Sequence, residues 1–159
     1  MGSSNFDSWS IPVDNIANGL LVAMAKWLKG EITLCFEHAF PLPAALELFS
    51  KHSSPARFVP ERDTLSPHTH LYYCKLSHAF AEALAQLASS HDAGELFWHL
   101  KAYDSQRMIL CVHDAYGPST TWISGLLPEG LIRQIAEECQ AEATGENAGI
   151  DWHRPRTMT

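Results

Sequence analysis

Glu95-Leu-Phe-Trp-His-Leu-Lys-Ala-Tyr103 runs through Asp104-Ser-Gln106 into Arg107-Met-Ile-Leu-Cys-Val-His113. Both runs alternate and are rich in aromatic or β-branched residues, the pattern of a β-hairpin. Parity assigns the faces. Leu96, Trp98, Leu100 and Ala102 share one side of the first strand, and Met108, Leu110 and Val112 share one side of the second. A slip of one residue would send one set to the wrong side, so the two sets must coincide. A three-residue loop, Asp104-Ser105-Gln106, meets that condition and sets Leu100 against Leu110 and Trp98 against Val112.

The other face then carries Phe97, His99, Lys101 and Tyr103 beside Arg107, Ile109, Cys111 and His113. In this register His99 lies opposite Cys111, Phe97 opposite His113 and Lys101 opposite Ile109. The face is too apolar for plain solvated surface and too polar for plain core. Binding surfaces favour aromatics mixed with Arg. A loop or helix that partly covers the face, leaving polar tips in water, accounts for the same composition. Phe97, His99, Tyr103, Arg107 and His113 are the candidate contact residues.

Outward from the hairpin, the pattern continues in both directions. Asp14 is an N-cap for a helix to Lys29, with Ile16, Leu20, Met24 and Trp27 as its stripe and Gly30 at its end. Glu31 to Glu37 alternates as a half-buried strand. Pro41 and Pro43 open a short helix that ends near His52. Ser53 to Thr69, with three prolines, reads as an extended loop with a short strand at Arg57-Phe58-Val59. Tyr73, Leu76, Phe80, Leu84 and Leu87 recur every three or four residues, which predicts one long helix from His70 to Ser89. Tyr116-Gly-Pro118 turns into a third hairpin-linked strand, Ser119 to Ile123, and Pro128 begins a last helix. The expected fold is α+β: an antiparallel sheet of three to four strands with four helices, mostly on one face. Residues 1–143 make a single globular domain, and 144–159 a flexible C-terminal tail.

Composition bounds the function. A chain of 159 residues suits one domain, and at that size roughly 70% of the unfolded surface can be buried without a metal or disulfide. With 18 acids against 11 Lys and Arg the net charge is −7. That disfavours non-specific binding to nucleic acid or to an anionic membrane, and suits a basic protein partner. Full protonation of the nine histidines would carry the charge from −7 to +2. Cys35, Cys74, Cys111 and Cys139 are widely spaced, as free thiols in a reducing cytosol would be. The longest early apolar run, Leu20 to Ala25, is shorter than a signal core, so a cytoplasmic location is expected.

Two clusters invite a chemical reading. His68, His70, Cys74 and His78 have zinc-type donors, but His70 to His78 would span about 12 Å along a helix, too far for one ion. His99, Cys111 and His113 share a sheet face in the register above, with Cys35 able to join them and Glu37 or Asp114 as supporting carboxylates. Lys101 and Arg107 on that face disfavour a cation. Cys111 with His99 as base is a thiol dyad without a helix N-terminus or an oxyanion donor to support it. There is no Gly-rich phosphate loop, no G-x-S-x-G elbow and no H-E-x-x-H. The reading that follows is a non-catalytic protein-binding module, of the toxin-neutralising (immunity) or adaptor kind, with no cofactor or metal. The alternative is a small metal- or thiol-dependent enzyme on His99, Cys111 and His113. Self-association through the third strand as a sheet edge is a further option.

Overall fold

Ile32, Leu34 and Phe36 alternate with Thr33, Cys35 and Glu37, and this strand, with the hairpin, organises the sheet. The computed structural model describes residues 5–13, 16–56, 58–59, 64, 66–104, 107–115, 121–153 and 156–157. The chain runs β1 (Ser8–Ser10), α1 (Ile16–Trp27), β2 (Ile32–His38), α2 (Pro43–Lys51), β3 (Phe58–Val59) and β4 (His70–Lys75). It continues with α3 (His78–Ala88), α4 (Ala93–Leu96), β5 (His99–Asp104), β6 (Arg107–His113), β7 (Thr121–Ser124), α5 (Glu129–Glu138), β8 (Thr144–Glu146) and β9 (Arg156–Thr157). Asp14, Ser105, Gln106 and residues 116–120 lie outside the described residues, and with them the proposed first N-cap, most of the hairpin loop and the start of the third strand.

Among the described residues, seven antiparallel strands form one sheet in the order β4-β2-β5-β6-β7-β1-β8, β3 pairs with β9, and there are five helices. This overturns the expected sheet of three to four strands with four helices, while the α+β class stands. The miss has a physical cause. β1 and β8 are three residues each, too short to show a period. They join the sheet through long-range pairing with β7 and with each other. Gly145 lets β8 lie close, since a Cβ there would run into the Phe6 ring. β7 is therefore interior, between β6 and β1, and the edges are β4 and β8.

β4 is the larger correction, because it occupies the first third of the predicted long helix. His70-Leu-Tyr-Tyr-Cys-Lys is a strand paired to β2, with Leu34 opposite Cys74 and Phe36 opposite Tyr72. The helix begins only at His78, where the Ser77 hydroxyl caps it by accepting the Phe80 N–H at 3.0 Å. Phe80 and Leu84 do form its buried stripe. Tyr73 and Leu76 extended that three-four spacing by coincidence across a strand and a turn. The aromatic content of 70–75 was the contrary signal.

In the hairpin, parity holds for Leu100, Ala102, Leu110 and Val112, and register moves by two. Leu100 pairs with Val112, Ala102 with Leu110, Lys101 with Cys111 and His99 with His113. The loop is shorter than expected, with Asp104 opposite Arg107, and a β-bulge follows between Ala102 and Tyr103 on one side and Leu110 and Met108 on the other. That bulge supplies the extra residue that the three-residue loop was invoked to supply. It turns Met108 to the second face beside Tyr103 and sends Ile109 into the main core.

The two faces of the sheet are built differently. The first is continuous with the helices: Leu20, Leu21 and Met24 of α1, Phe49 of α2, Phe80 and Leu84 of α3, and Ile132 and Ile135 of α5 bury against Leu34, Phe36, Leu100, Leu110 and Val112. At its centre Phe36 stacks on Phe49 at 4.6 Å and meets Phe97 edge-on at 5.3 Å. The second face holds Cys35, Tyr103 and Met108, with Leu71, Tyr73, Cys111 and Trp122 partly buried around them. Its cover comes from the chain after β8, where Trp152 is 3% exposed and Ile150 packs beside it. The expected tail thus supplies an edge strand and the lid of a second small core.

Candidate functional site

The end of the sheet where β2 and β6 finish and β4 and β5 start gathers most of the unusual chemistry. His38 faces His70, Glu37 faces Leu71 and His99, and His99 faces His113. Glu37 is buried, and its Oε2 accepts the Thr64 N–H at 2.9 Å and the Thr69 hydroxyl at 3.2 Å. A buried carboxylate with hydrogen-bond donors around it is a satisfied structural anchor, here tying the long loop to the sheet.

His99 belongs to the same anchor. Its Nδ1 accepts the Asp114 N–H at 2.9 Å, so its proton sits on Nε2, which donates to the Thr64 hydroxyl at 2.7 Å. The ring is buried and stacks on His113 at 4.9 Å. Asp114 delivers its N–H from a left-handed conformation, φ 70°, which Asp tolerates better than most residues. With both nitrogens engaged, His99 has no lone pair free to bind a metal or to take a proton from a thiol. Cys111 faces Lys101 rather than His99. Among the described residues no group of three or more His, Cys, Asp or Glu side chains is placed to hold a metal ion. The other cluster separates too: Cys74 is buried toward the helices, and exposed His78 pairs with Glu82 at 2.9 Å. Burial pushes the Cys74 thiol up to about 12 and the Cys139 thiol up to about 11, which makes both poor nucleophiles.

Beside this anchor lies an aromatic corner that the hairpin pattern did not reveal. His38 is buried; its Nε2–H donates to the Gly94 carbonyl at 2.8 Å and its Nδ1 accepts the Phe40 N–H at 2.7 Å. Burial pushes its pKa down, against the opposing pull of the Gly94 carbonyl, so the ring stays neutral. Trp98 stacks on it at 4.5 Å, and Phe40, 74% exposed, meets Trp98 edge-on at 6.5 Å. Backbone bonds hold the corner together: Leu42 N–H to Glu95 O, Trp98 N–H to Glu37 O and Ala115 N–H to Trp98 O. The segments that form it, 37–42, 91–99 and 113–115, carry Glu37, Asp92, Glu95 and Asp114 and contain no Lys or Arg. Asp92, Glu95 and Asp114 are exposed.

The five residues expected to form a contact surface do not converge. Phe97 is fully buried in the main core against Phe36, and Tyr103 is 2% exposed beneath the C-terminal segment. His99 is enclosed as described. Arg107 is exposed, but it grips Asp104 through Nε at 3.2 Å and Nη2 at 2.9 Å. It sits at the opposite end of β6 from exposed His113, about 20 Å away by strand rise. Parity reads Trp98 as a core-face residue, and Phe40 belongs to no element read from the sequence. The exposed Phe40 beside a strand-ending His was the available signal. Two open grooves lie between α2 and α3 (about 430 Å³, with Glu47, Lys51 and Ser90 in the lining) and between α2 and β4 (about 440 Å³).

No described helix is long and apolar enough to cross a membrane. Comparison with protein-family models, with curated proteins and with solved structures finds no match to this chain.

Proposed function

We propose that this chain is a non-catalytic protein-binding module, of the toxin-neutralising or adaptor kind, working in a reducing cytoplasm. Its contact surface is the aromatic corner, not the hairpin's second face. The observation that carries this reading is Phe40, a ring left 74% exposed on the Trp98–His38 stack. Two aromatics pre-positioned on a hydrogen-bonded support are the kind of anchor that dominates interface energetics, because little side-chain freedom is lost on binding. Exposed acids around an aromatic centre suit a basic partner, which the net charge of −7 would also steer. His113 belongs to this rim; Arg107 does not.

Affinity capture from the source cell tests the reading. A basic protein should be retained, and Phe40→Ala should cut retention at least tenfold with the thermal melt unchanged. Asp92→Asn with Asp114→Asn should weaken capture and flatten its salt dependence. A partner held as well by both variants as by the wild type places the contact elsewhere.

A further inference from the structure

The segment after β8 is fastened to the second face through the start of β1 and through β6, and the Asp7 N–H donates to Asn147 Oδ1 at 3.3 Å. The Asp7 carboxylate accepts the Ala148 N–H at 2.9 Å and the Gly149 N–H at 3.4 Å. Trp152 donates its indole N–H to the Ser8 hydroxyl at 3.0 Å, and the Ser8 hydroxyl donates to Asp7 Oδ1 at 2.6 Å. Trp152 O accepts the Met108 N–H at 3.0 Å, and β9 pairs with β3 beyond it. Within 147–153 only Trp152 is buried, and Ile150 is half-buried. Gly149, at φ 74°, turns the chain just before the covering residues.

We propose that residues 147–153 are a strap that opens as a unit while the helix-covered core stays folded, uncovering Cys35, Tyr103 and Met108. A segment with one buried side chain, held by a hydrogen-bond relay that ends on the Asp7 carboxylate, belongs to the less stable part of a fold. Among the described residues, Trp152 and Ile150 pack in the second cluster and not in the main core. Opening uncovers a second face that combines Tyr103, Met108 and Trp122 with Lys101. This does not depend on the aromatic corner, which lies at one end of the sheet on the helix side.

Two cysteines report the motion. Cys35 lies under the strap, and Cys74 lies in the helix-covered core. Maleimide labelling at fixed pH, read peptide by peptide, compares them in wild type, Asp7→Asn and Trp152→Ala. Asp7→Asn removes the charge without changing the volume. It should raise Cys35 labelling about fivefold or more and leave Cys74 unmoved. Trp152→Ala should raise Cys35 labelling further. If Cys35 and Cys74 accelerate together in Asp7→Asn, the cover leaves only when the whole chain unfolds and the proposal fails. It fails equally if Cys35 is unchanged in both variants.

Discussion

The two faces of the sheet are made from alternate residues of the same strands, yet they are held by different means. Phe36 points into helices α1, α2 and α3 and touches three other phenylalanines, Phe49, Phe80 and Phe97. Its neighbour Cys35 points the other way, under a single tryptophan from the end of the chain. The first face is thick and its cover is built from regular elements. The second is thin and its cover is the strap. Apolar alternation thus reports which residues share a face, and what lies over that face has to come from elsewhere.

Substitutions put the contrast to the test. Phe36→Ala opens a cavity in the thick core and should cost about 3–5 kcal/mol, seen as a large fall in the denaturant midpoint with the slope preserved. A loss below about 1 kcal/mol would mean that the helices collapse onto the gap. Glu37→Ala strips the acceptor from Thr64 and Thr69 and should cost about 1–3 kcal/mol, whereas Glu37→Gln keeps an acceptor and should lose less. Trp152→Ala should cost only about 1–2 kcal/mol despite removing a larger side chain, because the loss is capped by the strap's own stability. A cost equal to that of Phe36→Ala would make the two faces one cooperative unit.

Acid should act on the two regions in different windows. His38 has its pKa lowered by burial, so the unfolded chain takes up a proton that the folded chain refuses. The corner should lose stability as pH falls below about 6.5, and His38→Gln should remove that part of the pH dependence. Asp7 has its pKa lowered by the Ser8 hydroxyl and, against partial burial, by the Ala148 and Gly149 N–H groups. Its contribution is present above about pH 4 and lost as pH falls through the folded value, so strap opening should rise only in that lower window. Intrinsic Trp fluorescence of Asp7→Asn and His38→Gln along a pH titration would separate the two. The smallest effect is expected at Phe40, where Ala should change stability by less than about 0.5 kcal/mol while removing the proposed contact.

Much of the helix-covered face was legible in the sequence. The stripe of α3 from Phe80, the Pro43 start of α2 and the alternation of β2 each come from local chemistry, and parity placed Leu100, Leu110 and Val112 together. The bulge at Met108 was not legible, because it depends on how a short turn and a paired strand reconcile their twist. Nor were β1 and β8, which exist only because each pairs with residues more than a hundred positions away. The five candidate contact residues disperse for the same reason. Phe97 and Tyr103 have the composition of a contact surface, and only long-range packing shows that Phe36 and Trp152 already cover them. The aromatic corner arises where three chain segments meet, so no single stretch announces it.

Native-state hydrogen exchange at the Met108 amide, compared with Leu100 in the adjoining interior strand, puts the separation of the two faces to its most direct test. Met108 is bonded to the strap through Trp152 O, whereas Leu100 lies in the thick core. Met108 should exchange through an opening of lower free energy that barely responds to low denaturant, while Leu100 exchanges only with global unfolding. Equal opening free energies and equal denaturant slopes at the two amides would show that strap and core open together.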